Sequence, residues 1–168
     1  GHSGDGTLSH LSGELFKVMT GADVVAVPYK GGPAAALAVV SGQIPTAVIE
    51  IPLAIPNIRS GKLRSFGVTP AKRLTSAPDL PTMAESGLPG FDTLGWFGLV
   101  APSGTPAEII SRWNSETVAL LTTPDIRDKL SAGGAEPYPT SAAEFSDIIK
   151  TELARWSRVI KQANLKLN

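Results

Sequence analysis

Apolar positions along the chain change period several times, and each change predicts an element. Leu8, Leu11, Leu15, Phe16 and Met19 recur at three- and four-residue spacing and Gly21 follows as a stop, which predicts a helix beginning near Thr7. The run DVVAVPYKGG reads as a buried strand ending at Pro28, then a turn through Tyr29, Lys30, Gly31 and Gly32 into a helix over PAAALAVVSG. PTAVIEI predicts a second strand, LAIPNIRSGKL a short helix interrupted by Pro56 and closed by Gly61, and LRSFGVT a third strand. Strand and helix patterns alternating in this way predict an α/β architecture with a largely parallel sheet.

From Pro70 to Gly90 the texture turns rich in Pro and Gly, with at most one helical turn around Thr82 to Ser86, as expected of a surface connection or long edge loop. TLGWFGLVAP is the most strand-like segment in the chain. Three helical patterns follow it, marked by Ile109, Ile110, Trp113 and Leu120, by Ile126 and Leu130, and by Phe145, Ile148, Ile149, Leu153, Trp156 and Ile160. Pro106 and Pro124 occupy first-turn positions, and Ser141 with Glu144 has capping-box spacing.

At 168 residues and 42% hydrophobic content the chain is long enough for one compact domain or two small lobes. Fifteen basic residues balance fifteen acidic ones without clustering, which gives no footprint for nucleic acid or anionic lipid. Cysteine is absent, removing disulfides and thiolate chemistry together. No apolar run is long enough to span a bilayer, and the chain as given reads as soluble without a targeting segment.

Enzyme motifs are missing. The two histidines, His2 and His10, do not form HExxH, so no metal site and no cofactor is expected. There is no GxSxG elbow, no GK[ST] ending to the glycine-rich opening, and no complete GxGxxG. What the sequence does offer is two glycine-rich turns running into helices, Ser3–Thr7 and Tyr29–Gly32. Helix N-termini leave amides unpaired at the positive end of the dipole, which suits a carboxylate as well as a phosphate. Turn geometry and an ordinary N-cap at Thr7 explain the same residues equally well.

The blocks VPYKGGPAAALAVVSGQI, IPLAIPNIRSGKLRSFGVT, AKRLTSAPDLPTMAESGLPGF, GWFGLVAPSGTP and GAEPYPTSAAEF together resemble, in order, the extracytoplasmic receptors of tripartite tricarboxylate transporters, the Bug family. The resemblance implies a periplasmic, non-enzymatic receptor with a type II Venus-flytrap fold, here incomplete. Residues 1–93 would be the ligand-binding part of lobe two, and 94–168 a helical segment returning to lobe one. It implies a small organic carboxylate as ligand and membrane transporter subunits as partners. Carried over residue by residue, the ligand loop falls on Ser3, Gly4, Asp5, Gly6, Thr7 and His10. The second turn falls on Tyr29, Lys30 and Gly31.

Thr7 N–H and hydroxyl, with the amides of Gly4 to Gly6, would grip one carboxylate. Glu50 stands where relatives carry an acidic or amide pair, and Trp96 near the crossing between lobes. The resemblance gives no reason for a histidine at position 2. Family members run to nearly twice this length, so self-association through exposed lobe-one surface is also expected, with a ligand-free oligomerising module as the alternative function.

Overall fold

The computed structural model describes residues 1–165 and divides into two compact units, Gly1–Gly95 with the chain from Trp156 onward, and Trp96–Arg155. Six helices are present among the described residues: α1 Leu8–Thr20, α2 Gly32–Val40, α3 Ile51–Arg59, α4 Ala107–Thr122, α5 Pro124–Ala132 and α6 Ala142–Gln162. Each lies where the apolar period predicts it, except that α3 begins at Ile51, inside the predicted second strand, and runs through Pro56 without interruption. Gly21 ends α1 in the left-handed region at φ 68°, its N–H donating to Lys17 O, a conformation that costs a glycine little. Ser141 and Glu144 close the capping box of α6: Ser141 N–H and hydroxyl both donate to Glu144 Oε2 at 2.8 Å, and Glu144 N–H donates back at 3.2 Å. Pro124 is the first residue of α5, whereas Pro106 stands one position outside α4 as its cap.

The predicted strands do not assemble into a ladder. Among the described residues the β pairing consists of two isolated parallel bridges, His2 with Pro28 and Val68 with Thr82. DVVAVP, read as a buried strand, leaves Val25 79% exposed, and TLGWFGLVAP leaves Phe97 99% exposed. β-propensity reports fitness for a pleated surface between neighbours. Without strands alongside to share hydrogen bonds, these segments stay outside regular structure.

The first unit holds the buried residues. α2 packs on α3, and its inner face is small, with Gly32, Ala35, Ala36 and Ala38 buried. Val68, Ala77, Phe91, Thr82 and Thr93 form a second buried group. Here Thr93 N–H donates to Thr69 O at 2.9 Å, and Ser12 Oγ donates to Thr93 Oγ1 at 2.8 Å. The predicted helical turn at Thr82–Ser86 is present: Thr82 and Glu85 exchange hydrogen bonds at 2.8 and 3.1 Å, and Arg73 Nε reaches both Glu85 oxygens.

α1 corrects the expectation of an apolar inner stripe. Of Leu8, Leu11, Leu15, Phe16 and Met19 only Leu11 is buried; Ser9, His10, Ser12 and Glu14 are the residues turned inward. Each of these polar groups has work inside the fold, which is why a polar face can be covered.

In the second unit α4 packs on α5, Trp96 meets Phe145 edge-on at 5.2 Å, and Asn114 Nδ2 donates to Thr140 O. No described residue between Trp96 and Arg155 is buried.

Candidate functional site

Three chain segments run into helices side by side in the first unit. His2 N–H donates to Val27 O at 3.1 Å and Tyr29 N–H to His2 O at 3.0 Å, while Val48 N–H donates to Gly1 O at 3.0 Å. The opening residues therefore lie between the segments that lead into α2 and α3. The N-terminal ends of all three helices, capped by Thr7, Gly31 and Glu50, are thereby gathered at one edge. In parallel α/β folds this edge, outside the carboxyl ends of the strands, is where ligands bind.

Ser3 joins the three. Its carbonyl accepts from Gly31 N–H at 3.2 Å, its N–H donates to Ser9 Oγ at 2.9 Å, and its hydroxyl donates to Glu50 Oε1 at 2.8 Å. Gly31 adopts φ 92°, open to glycine and strained for other residues. Gly32 leaves room for two neighbours: a β-carbon there would fall on Glu50 Oε2 and come within 2.8 Å of Leu53 Cδ1, so both side-chain ends would have to swing aside. Glu50 thus holds its carboxylate against the start of α2, where the helix dipole favours negative charge.

The first loop is knitted from within. Gly4 O accepts both the Thr7 hydroxyl at 2.6 Å and the Thr7 N–H at 3.3 Å, and Thr7 Oγ1 accepts from His10 N–H. Gly6 N–H donates to His10 Nδ1 at 3.1 Å, and His2 Nδ1 packs on the Gly4 peptide, 3.0 Å from its O and 3.3 Å from its N. Thr7 and the Gly4 and Gly6 peptides are therefore engaged in shaping the loop. Among the described residues, the amides that find no protein acceptor at this end of α1 are those of Asp5, Leu8 and Ser9. Lys30 is exposed on the turn whose Gly31 N–H donates to Ser3 O.

Behind the loop the His2 and His10 rings stack at 4.2 Å and 10°. Glu14, buried, receives Lys17 Nζ at 3.0 Å and lies 3.9 Å from His10 Nε2. Burial lowers the His2 pKa below its ordinary 6.5, opposed by its bond to Gly4.

Of the sequence-predicted residues, Ser3 to Thr7, His10, Tyr29 to Gly31 and Glu50 come together in the first unit. Trp96 belongs to the second, on Phe145. Sequence reasoning passed over Ser9 and Glu14, named Gly32 only as the end of the second turn, and gave His2 no role. No local spacing marks the pairing of His2 with His10. A groove of about 500 Å³ in the second unit, bordered by Tyr138, Thr140, Glu144 and Ile148, lies on different residues altogether.

Residues 1–165 match the family model described as the tripartite tricarboxylate transporter family receptor. The chain belongs to that family. Among curated relatives, Protein BugT of Bordetella pertussis is 33% identical over 96% of this chain and 50% of its own length. The UPF0065 protein in the tcbD-tcbE intergenic region of Pseudomonas sp. strain P51 is 32% identical over 99% of this chain and 50% of its own. That in the clcB-clcD intergenic region of Pseudomonas knackmussii, also 32% identical, is matched over 99% of both chains. The chain thus spans about half the length of the first two and nearly all of the third.

Rpa4515 of R. palustris, solved with adipate, superposes with a TM-score of 0.83 at 39% identity, over 95% of this chain and 53% of that one. MatC of Rhodopseudomonas palustris, solved with bound malate, gives 0.75 at 32% identity over 92% and 54%. The chain therefore carries part of the type II periplasmic-binding-protein fold of the tripartite tricarboxylate receptors. The α/β class holds through this likeness, although its strand segments are unladdered here. Receptors of this family are solute-binding proteins, a non-enzymatic class.

Proposed function

We propose that this chain supplies one wall of a periplasmic receptor site that captures a small organic di- or tricarboxylate for the membrane subunits of a tripartite tricarboxylate-type transporter. The observation that carries the reading is the convergence of three helix N-termini on Ser3, with free amides at Asp5, Leu8 and Ser9. Donors fixed by a hydrogen-bonded loop lose little freedom when an anion arrives. Glu50 already places a carboxylate at the start of α2, so the ligand's carboxylate belongs at α1, with Lys30 supplying countercharge. Glu50 itself faces the ligand's hydroxyl or amino group. Relatives solved with adipate and with malate support a dicarboxylate.

Thermal unfolding against adipate, malate and citrate tests this. Ligand at a hundred times Kd stabilises by about 2.7 kcal/mol, enough to move the midpoint by several degrees. No shift with any of the three at millimolar concentration would overturn the reading for this chain. A second reading, association of chains, is favoured by the exposure of Phe97, Leu99 and Val100 at 99%, 68% and 83%. Light scattering decides it: a monomer across the micromolar range removes it.

A further inference from the structure

We propose that His10 is a proton-sensitive positioning residue for the opening loop: its neutral ring holds the Gly4–Thr7 turn in one form, and its protonated ring selects the form in which the central peptide is reversed. Gly4 O accepts from Thr7 N–H at 3.3 Å, so these four residues make a β-turn. Gly6 stands at φ 73° and Asp5 outside the positive-φ region, which makes the turn type II. Type I and type II turns share the same closing bond and differ in the direction of the central peptide, here Asp5–Gly6. Glycine at the third position is compatible with both.

His10 chooses between them. Gly6 N–H donates to His10 Nδ1 at 3.1 Å, which leaves the proton of the neutral ring on Nε2. A protonated imidazole is a donor at both nitrogens, so Nδ1–H and Gly6 N–H cannot face each other. Reversing the Asp5–Gly6 peptide turns the Asp5 carbonyl inward in place of the amide, and Nδ1–H gains an acceptor. Among the described residues, the charged and titratable groups facing His10 are His2 and Asp5 from the loop and Glu14 from α1, itself paired with Lys17, with the N-terminal amine beyond His2. Asp5 Oδ1 lies 4.0 Å from Nδ1 and Glu14 Oε1 3.9 Å from Nε2, so a carboxylate stands beside each nitrogen to receive the charge. Burial disfavours a second charge on His2, whose ring stacks on His10 at 4.2 Å. Reversal also turns Gly6 N–H away from His10, and because Gly6 is exposed, water or an arriving anion takes it. The switch is a property of the loop, independent of what α1 receives, and is tested without ligand.

Two-dimensional NMR of the ligand-free full chain, titrated from about pH 8 to about pH 5, reads it directly. The Gly6 amide signal should shift with the same midpoint as the His10 ring C–H signals. Corrected for the intrinsic rate at each pH, that amide should exchange about tenfold faster on the acid side, the loss of one hydrogen bond. Thr7 N–H, bonded to Gly4 O in both forms, should keep its protection. His10→Asn offers Gly6 an acceptor that does not titrate, so the Gly6 step should vanish. A Gly6 amide unchanged while His10 titrates, a Thr7 amide that loses protection with it, a step that survives in His10→Asn, or a His10 ring that stays neutral until the chain unfolds would each overturn the switch.

Discussion

The loop at Ser3–Thr7 and the segment at Trp96–Val100 are both short, glycine-containing and outside regular structure, yet they end in opposite conditions. In the first, the backbone groups of Ser3 and Thr7 are matched by neighbouring turns and side chains, and His2 and His10 are buried beside them. In the second, Phe97 stands 99% exposed. The difference lies in what each needs. A polar loop is completed by a few local donors and acceptors, whereas a strand-like apolar segment is completed only by another strand or face. Stability should follow the same division, residing in the first unit.

The sharpest test is Gly67→Ala. A β-carbon there meets Met83 N at 2.9 Å and Thr82 C at 3.0 Å, both backbone, beside the Val68–Thr82 bridge. Overpacking against backbone should cost about 3 kcal/mol, read as a lower urea midpoint at unchanged slope. Next, Ser12→Val removes the donor to Thr93 Oγ1, where both residues are 1% exposed. It should cost about 2 kcal/mol, and Ser12→Val with Thr93→Val should recover much of that, since an apolar pair leaves no unmatched group. A double variant no better than the single would show that the hydrogen bond is not the cause.

Smaller effects are expected in the second unit. Ser141→Ala should remove about 1 kcal/mol of helix stability. The Ser141 N–H and hydroxyl hold the Glu144 pKa below its ordinary 4.5. A lowered carboxyl pKa contributes stability above its unfolded value and loses it as pH falls through the folded one. Helical circular dichroism should therefore decline on acidification below about 4.5 in the parent chain, and less so in Ser141→Ala. Phe97→Ser should change the melting midpoint least, within about 0.5 kcal/mol, while reducing light scattering at high concentration. If it costs as much as Gly67→Ala, the contrast between the two regions fails.

The helices were legible because their signals are local. Gly21 after Met19, the Ser141–Glu144 box and Pro124 each act within a turn of where they stand. The strands were legible as segments and not as a sheet, since pairing depends on what lies alongside. The junction residues were legible in part. Glycines before helices marked Ser3–Thr7 and Tyr29–Gly31, but the role of Thr7 as an internal brace was not evident, because its partner Gly4 O is fixed by a turn three residues long. The buried polar face of α1 was hidden for a related reason: periodicity finds apolar stripes, and here the inward groups are hydroxyls, an imidazole and a carboxylate, partnered by the preceding loop, by residues of α1 itself and, for Ser12, by Thr93.

Gly32 and Glu50 occupy one volume between them. A side chain at 32 displaces the exposed Glu50 carboxylate, the end of a flexible side chain, and Ser3 then loses its acceptor. The consequence of filling position 32 is thus felt at Ser3, through the hydrogen bond that joins the first loop to the start of α3.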